Sequence, residues 1–222
     1  MQQQPFNSFQ KVNNVQMPQA PIQTVPPAAN HGGHELFDMH EVLSGMIGVL
    51  DQFMIFRTFL KDPVLVDILD RQYYFILDHY NIACETFSTG TKPSHKAEPY
   101  MMKETANVTY GMKPSQPKKP NQSIAEVKDQ GISGHMLGLV KSLASLLATA
   151  TPEVTNPVLR RVLADSIPDY IEMAYEIFLY QNKHQYYQVP QLPNQEMQTM
   201  THGYATMQNQ PQFPPSGQPP MQ

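Results

Sequence analysis

Tryptophan is absent from the 222-residue chain, and cysteine occurs once, at Cys84. A single thiol excludes an intramolecular disulfide and any cysteine-based zinc site, and it fits synthesis in a reducing cytoplasm. Charge is scarce, at 15% of residues, and neither sign dominates: the formal net charge is -4 and the isoelectric point is near 6.0. That balance leaves no electrostatic footprint for nucleic acid, and no basic aromatic platform is present, so nucleic acid is not an expected partner. Long uninterrupted apolar runs are missing too. Residues 42–60 are broken by Asp51 and Arg57, and residues 136–150 by Lys141, so neither a transmembrane segment nor a membrane partner is expected. The opening MQQQPFNSFQKVNN has neither the basic start nor the apolar core of a secretory signal. No glycine-rich phosphate loop, G-x-S-x-G elbow or C-x-x-C pair occurs.

What is abundant is proline, with 21 residues, concentrated with Gln, Asn and Met at the two ends. Residues 1–30 and 190–222 cannot bury enough apolar surface to offset the entropy of ordering, so both are expected to be disordered tails. Between them, one phrase stands twice: KDPVLVDIL from Lys61 and TNPVLRRVL from Thr155, ninety-four positions apart. In each, Asp62 or Asn156 precedes a proline and then Val-Leu at helical spacing. The capping side chain accepts from a first-turn N–H, and proline in that turn forfeits only a donor that had no partner. Each copy therefore starts a helix.

Apolar residues at spacings of three and four predict helices over residues 34–60, 63–87, 133–150 and 157–187, two hairpins in all. In the second helix the expected buried stripe runs through Leu65, Ile68, Leu69, Tyr73, Ile76, Tyr80, Ala83 and Phe87. Pro168 either kinks the fourth helix or restarts it with Ser166 as a cap. Gly131, Gly134 and Gly138, with Ser142 and Ser145, give the third helix a small-residue side. Ser44, Gly45 and Gly48 give the first helix another, so the two are either close-packed neighbours or simply carry poor helix formers.

Residues 88–130 form a polar, proline-containing linker that is long for a loop in a compact domain. A helix of about 25 residues is roughly 37 Å long, and joining the second helix to a third that runs the same way needs a connection of that reach. The expected class is therefore all-α: a ferritin-like four-helix bundle over residues 31–189, made of hairpins 34–87 and 131–189 joined by a crossover linker. Exchange of hairpins between two chains is the alternative that the same linker permits.

Ferritin-like bundles often hold two metals through Glu-x-x-His pairs, but no helix here contains Glu-x-x-His and the third has no carboxylate from Ile132 to Ala150. The acids of the fourth helix, Asp165, Asp169, Glu172 and Glu176, fall mostly off its apolar stripe. No cofactor is expected. His31, His34 and Asp38, in the stretch HGGHELFDMHE, are the weak metal candidates, and helix-start capping explains them equally well. His79 and His135 are read as structural, and Cys84 as a small buried hydrophobe, with an intermolecular crosslink as its sharper alternative.

Three stretches carry a resemblance to a known family: HELFDMHEVLSGMIGVLDQFMIF, DPVLVDILDRQYYFILDHYNIA, and the long ISGHMLGLV…NPVLRRVL…AYEIFLYQNKHQYYQVP. Together, over residues 34–190, the chain resembles the Coat F family of spore coat proteins. The resemblance implies a ferritin-like bundle and a structural coat component, made in the mother-cell cytoplasm and laid onto the forespore. It also implies other coat proteins and further copies of the chain as partners, a contribution to coat assembly and spore resistance, and no catalytic residue. A metal-dependent oxidase or catalase on the same scaffold, and an adaptor bundle with no spore role, are the alternatives. Glutamine and lysine are segregated: Gln191, Gln195 and Gln198 lie in the C-terminal segment, and Lys92, Lys96, Lys103, Lys113, Lys118 and Lys119 in the linker. That separation suits glutamyl-lysine crosslinks between chains, while solvation of flexible segments is the plainer explanation. Tyr186 and Tyr187 are further candidates for oxidative crosslinks.

Overall fold

A computed structural model of the chain describes residues 31–105 and 107–208. Five α-helices make up its regular structure: α1 (Gly33–Arg57), α2 (Pro63–Thr89), α3 (Asp129–Ala150), α4 (Pro157–Lys183) and α5 (Asn194–Thr201), with short 3-10 turns at Ile124–Glu126 and Thr151–Glu153. Among the described residues no strand forms; Tyr110 and Gly111 make only isolated bridges to Val189. The repeated phrase does what its chemistry requires. Asp62 accepts from the Val64 N–H, Asn156 accepts from Val158 and Leu159, and Pro63 and Pro157 open their helices. Both of these helices also end ninety-four positions apart, so the repeat spans their full length.

The four long helices pack around one core, α1 against α2 and α3, and α4 against α2 and α3. Each touching pair is antiparallel. Phe56 of α1 stacks on His135 near the start of α3, Gln181 near the end of α4 donates to Ser133, and Tyr180 donates to Asp62 at the start of α2. Hence α2 and α3 run the same way, and the segment between them has to return along the bundle. It begins at Gly90, whose positive φ of 65° closes α2 in a left-handed turn suited to glycine and whose carbonyl accepts from Asn156. It ends at the far side, where Asp129 accepts from the backbone N–H groups of Lys61 and Asp62. The segment therefore travels the length of the bundle between these two points.

Met39, Val42, Met46 and Phe53 of α1 meet Leu65, Leu69 and Ile76 of α2, Met136, Val140, Leu143 and Leu147 of α3, and Leu159, Leu163, Tyr170 and Ile177 of α4, all buried. The stretch Asp129–Glu153 has the length and apolar content of a membrane span, contrary to the sequence reading. Its apolar side chains nevertheless form one wall of this core, as those of a core helix do.

Several expectations are corrected. Leu65, Ile68, Leu69, Ile76 and Ala83 of the expected α2 stripe are buried, but Gln72, His79 and Thr86, each one residue earlier, take the core places expected of Tyr73, Tyr80 and Phe87, which are half-buried against it. The fourth helix runs unbroken through Pro168, so there is no restart at Ser166, whose hydroxyl donates instead to the Leu163 carbonyl. The small-residue sides of α1 and α3 do not interlock. A Cβ added to Gly45 would lie 3.1 Å from Leu146 Cδ2, but one on Gly48, Gly131 or Gly138 would meet open space. The third helix begins at Asp129, and α1 ends at Arg57. The C-terminal segment, expected to lack structure, carries α5, which buries no residue and is held by local bonds such as Thr199 Oγ1 to the Gln195 carbonyl. Residues 1–30 and 209–222 of the expected tails lie outside the described residues.

Candidate functional site

The most concentrated chemistry lies where the crossover segment rests on α2 and α4. Arg71, on the edge of the α2 stripe, donates through Nη2 to Glu176 Oε1 (2.7 Å), through Nε to Asp67 (2.8 Å) and through Nη1 to the Tyr100 hydroxyl (2.8 Å). Glu176 of α4 is fully buried, and both of its oxygens are engaged: Oε1 also accepts from the Lys103 N–H (2.7 Å), and Oε2 accepts from the Tyr100 hydroxyl. The Tyr100 N–H donates to Asp169 (2.8 Å), and Lys103 Nζ reaches Asp67 (2.8 Å). Tyr100 packs edge-on against Phe75 and lies beneath the Arg71 guanidinium. A buried carboxylate is tolerable only when paired and hydrogen-bonded, and Glu176 is both. The geometry fixes an irregular backbone onto two helices.

Each end of the bundle has a smaller clamp, and the two clamps match. Glu35, fully buried in the first turn of α1, accepts from the N–H groups of Thr155 (2.7 Å) and Asn156 (3.1 Å), from the Thr155 hydroxyl and from His31. Asp129, ninety-four positions later, does the same for Lys61 and Asp62 (3.0 and 3.2 Å). A first-turn carboxylate of one hairpin thus holds the cap of the other. The YQNKHQYYQV phrase closes the far end. Asn182 accepts from the Thr109 N–H and donates to the carbonyls of Thr109 and Tyr187, Gln188 accepts from Lys113, and Gly111 donates to Val189. Gln185 takes a positive φ of 60° to turn the chain, and Gln181 accepts through its carbonyl from Tyr186 and Tyr187.

Electrostatics follow from this pairing. Burial pulls the Arg71 guanidinium down, but the bonds to Glu176 and Asp67 outweigh it, and its pKa rises. Burial, then the bond to Glu176, pushes the Tyr100 hydroxyl well up, and burial, then Asp62, does the same to Tyr180. Burial would raise Glu35, yet the bonds from Thr155, His31 and Asn156 leave it below the ordinary glutamate range. His79 is buried with Nδ1 on the Tyr170 hydroxyl (3.0 Å). Its desolvation lowers the pKa to about 4 against the opposing pull of the Val162 carbonyl and Asp78.

The sequence-predicted residues are placed as follows. His31 is engaged by Glu35, His34 is exposed and Asp38 is half-buried. Among the described residues no group of three or more His, Cys, Asp or Glu side chains is set to hold a metal ion. Lys92, Lys96, Lys103, Lys113, Lys118 and Lys119 are exposed, as are Gln191, Gln195 and Gln198, and of these lysines Lys103 is tied to Asp67. Cys84 is half-buried rather than enclosed, and it lies beside Tyr80, whose hydroxyl pKa it helps to raise. Tyr186 packs against the core and Tyr187 sits on Phe178 and beneath Lys141. The residues missed are Glu176, Tyr100, Glu35 and Asp129. Glu176 was legible through the repeat, since its partner ninety-four positions earlier is Ile82, an apolar residue of the α2 stripe.

Comparison with known proteins adds to this geometry. Residues 128–190, which contain α3, α4 and the clamping phrase, match the family described as the Coat F domain. The chain is 56% identical over 185 residues to a Bacillus subtilis (strain 168) protein named spore coat protein F-like protein YhcQ, covering 83% of this chain and 84% of that relative. No solved structure matches it. An all-helical chain with this clamping phrase, alike over most of its length to that relative, belongs to the Coat F family of spore coat proteins.

Proposed function

We propose that the protein is a non-enzymatic structural component of the bacterial endospore coat, made in the mother-cell cytoplasm and laid onto the forespore, where it contributes to coat assembly and spore resistance. The observation that carries this reading is the likeness, over 83% of the chain, to a protein named for the spore coat. The buried carboxylates agree with it, because Glu35 and Glu176, the latter with half-buried Arg71, are committed to holding backbone and side chains in place. The four long helices are best classed as a ferritin-like bundle over residues 31–189, with tails at 1–30 and 190–222 that contact neighbouring coat proteins and further copies of the chain. Purified protein that carried stoichiometric iron or manganese with redox activity would favour an oxidase instead.

Crosslinking belongs to the same reading. Exposed Gln191, Gln195 and Gln198 would supply acyl groups, and the exposed linker lysines, above all Lys118 and Lys119, which pair with no described residue, would supply amines. A transglutaminase would join them as the glutamine side-chain amide leaves as ammonia and the lysine Nζ takes its place. Mass spectrometry of digested coat extracts tests this: peptides from residues 190–208 linked to peptides from 88–130 are expected. Recovery of both sets wholly unmodified would refute crosslinking and leave the coat assignment standing.

A further inference from the structure

The outer face of α2 and α4 carries two grooves that the ninety-four-residue repeat relates to each other. The first is walled by Pro63, Val64, Asp67, Ile68 and Arg71 with Glu176 across from them. The second is walled by Pro157, Val158, Arg161, Val162 and Asp165 with Ile82 across from them, each residue the counterpart of one in the first. The linker roofs both, but they are filled differently. The first encloses about 340 Å³ and holds its own carboxylate, Glu176, bound by Arg71, the Tyr100 hydroxyl and the Lys103 N–H. The second, under residues 92–97, encloses about 690 Å³, within the range of small-molecule sites.

In the second groove the carboxylate's place is taken by Ile82, and the charge order is inverted, Arg161 standing for Asp67 and Asp165 for Arg71. Its cations lack a firm anion. Among the described residues Lys92 and Lys96 form no ion pair, and the one ion pair of Arg161 is an exposed contact with Asp165 at 3.3 Å. His95 at the mouth pairs with Asp78, and Asp169 is committed to the Tyr100 N–H. Ile82, Val158 and Val162 make an apolar floor. At the back stands His79, 1% exposed, with Nδ1 on the Tyr170 hydroxyl and the Val162 carbonyl close enough to act on the ring. An apolar cavity with a few convergent polar groups has the composition of a ligand site.

We propose that this second groove binds a small carboxylate with an apolar body, its anion held among Lys92, Lys96 and Arg161 and its body laid on Ile82, Val158 and Val162. The groove takes from a ligand the carboxylate that its counterpart takes from Glu176. The test is titration of the full chain with 2-naphthoate, read by fluorescence anisotropy, since the absence of tryptophan leaves the probe's emission clear. Saturable one-to-one binding is expected, with neutral 2-naphthamide about tenfold weaker. The exposed-residue variant K92Q/K96Q/R161Q should weaken naphthoate about tenfold at an unchanged melting temperature. Val158→Phe, which fills the floor from a partly exposed position, should abolish binding at an unchanged melting temperature. Absence of saturable binding, equal affinity for the amide, or undiminished binding in either variant would each overturn the proposal.

Discussion

A fully buried carboxylate is costly unless every oxygen is satisfied, and Glu176 meets that condition by gathering Arg71, Tyr100 and the Lys103 N–H. Glu176→Ala should therefore destabilise the protein by about 3 kcal/mol, because it strands a half-buried guanidinium and two donors at once. Urea unfolding at neutral pH measures this; a loss below about 1 kcal/mol would mean that the clasp is incidental. His79 sets a pH dependence of opposite origin. Its folded pKa of about 4 lies below the ordinary value of 6.5, so the unfolded chain binds the extra proton between those limits. Stability from this group is complete above about pH 6.5 and falls as pH drops toward 4, by on the order of 3 kcal/mol. His79→Phe should flatten that part of the stability profile, and an unchanged slope would place the titration elsewhere. The sequence reading makes His79 structural but without a partner, and Glu176 an acid off the apolar stripe; aligning them through the repeat with Met173 and Ile82 marks both positions as core.

The α-helices were the legible elements, because proline and a capping side chain mark where α2 and α4 begin; the sequence reading ends α2 at Phe87, two residues short of Thr89, because it leaves out the closing turn at Gly90. The start of α3 was misplaced for the converse reason: Lys128 offers no side-chain cap bond, and Gln130 and Gly131 carry little helical signal. The α2 stripe was drawn through aromatic residues, whose bulk suggested burial, while polar Gln72 and Thr86 take the core positions. The linker was the least legible element. A docked irregular segment has no periodicity, and single anchors such as Tyr100 and Lys103 leave no pattern. The structure divides it into pinned parts, residues 94–105 and 107–113, and residues 114–121, which are exposed and make no hydrogen bond to the rest of the described chain. Brief digestion of the native protein with a low-specificity protease should cut the linker first within 114–121 and leave the two halves associated. A first linker cut within residues 99–113 would contradict the clasp.

As a whole molecule, the protein is two like hairpins held by reciprocal first-turn carboxylates, Glu35 on one cap and Asp129 on the other, with the crossover fastened across α2 and α4. Duplication of one hairpin accounts for the shared offset of the caps, the carboxylates and the ends of α2 and α4. A rigid unit of this kind, with exposed glutamine in its C-terminal segment and exposed lysines on its linker, suits a shell built from many copies and partners. The central claim is that this unit belongs to the coat, and fluorescence imaging of the tagged full chain through sporulation tests it most directly. The account predicts that signal made in the mother cell gathers into a ring around the forespore and persists on released spores. Signal that stayed diffuse in the mother cell and was absent from released spores would contradict it.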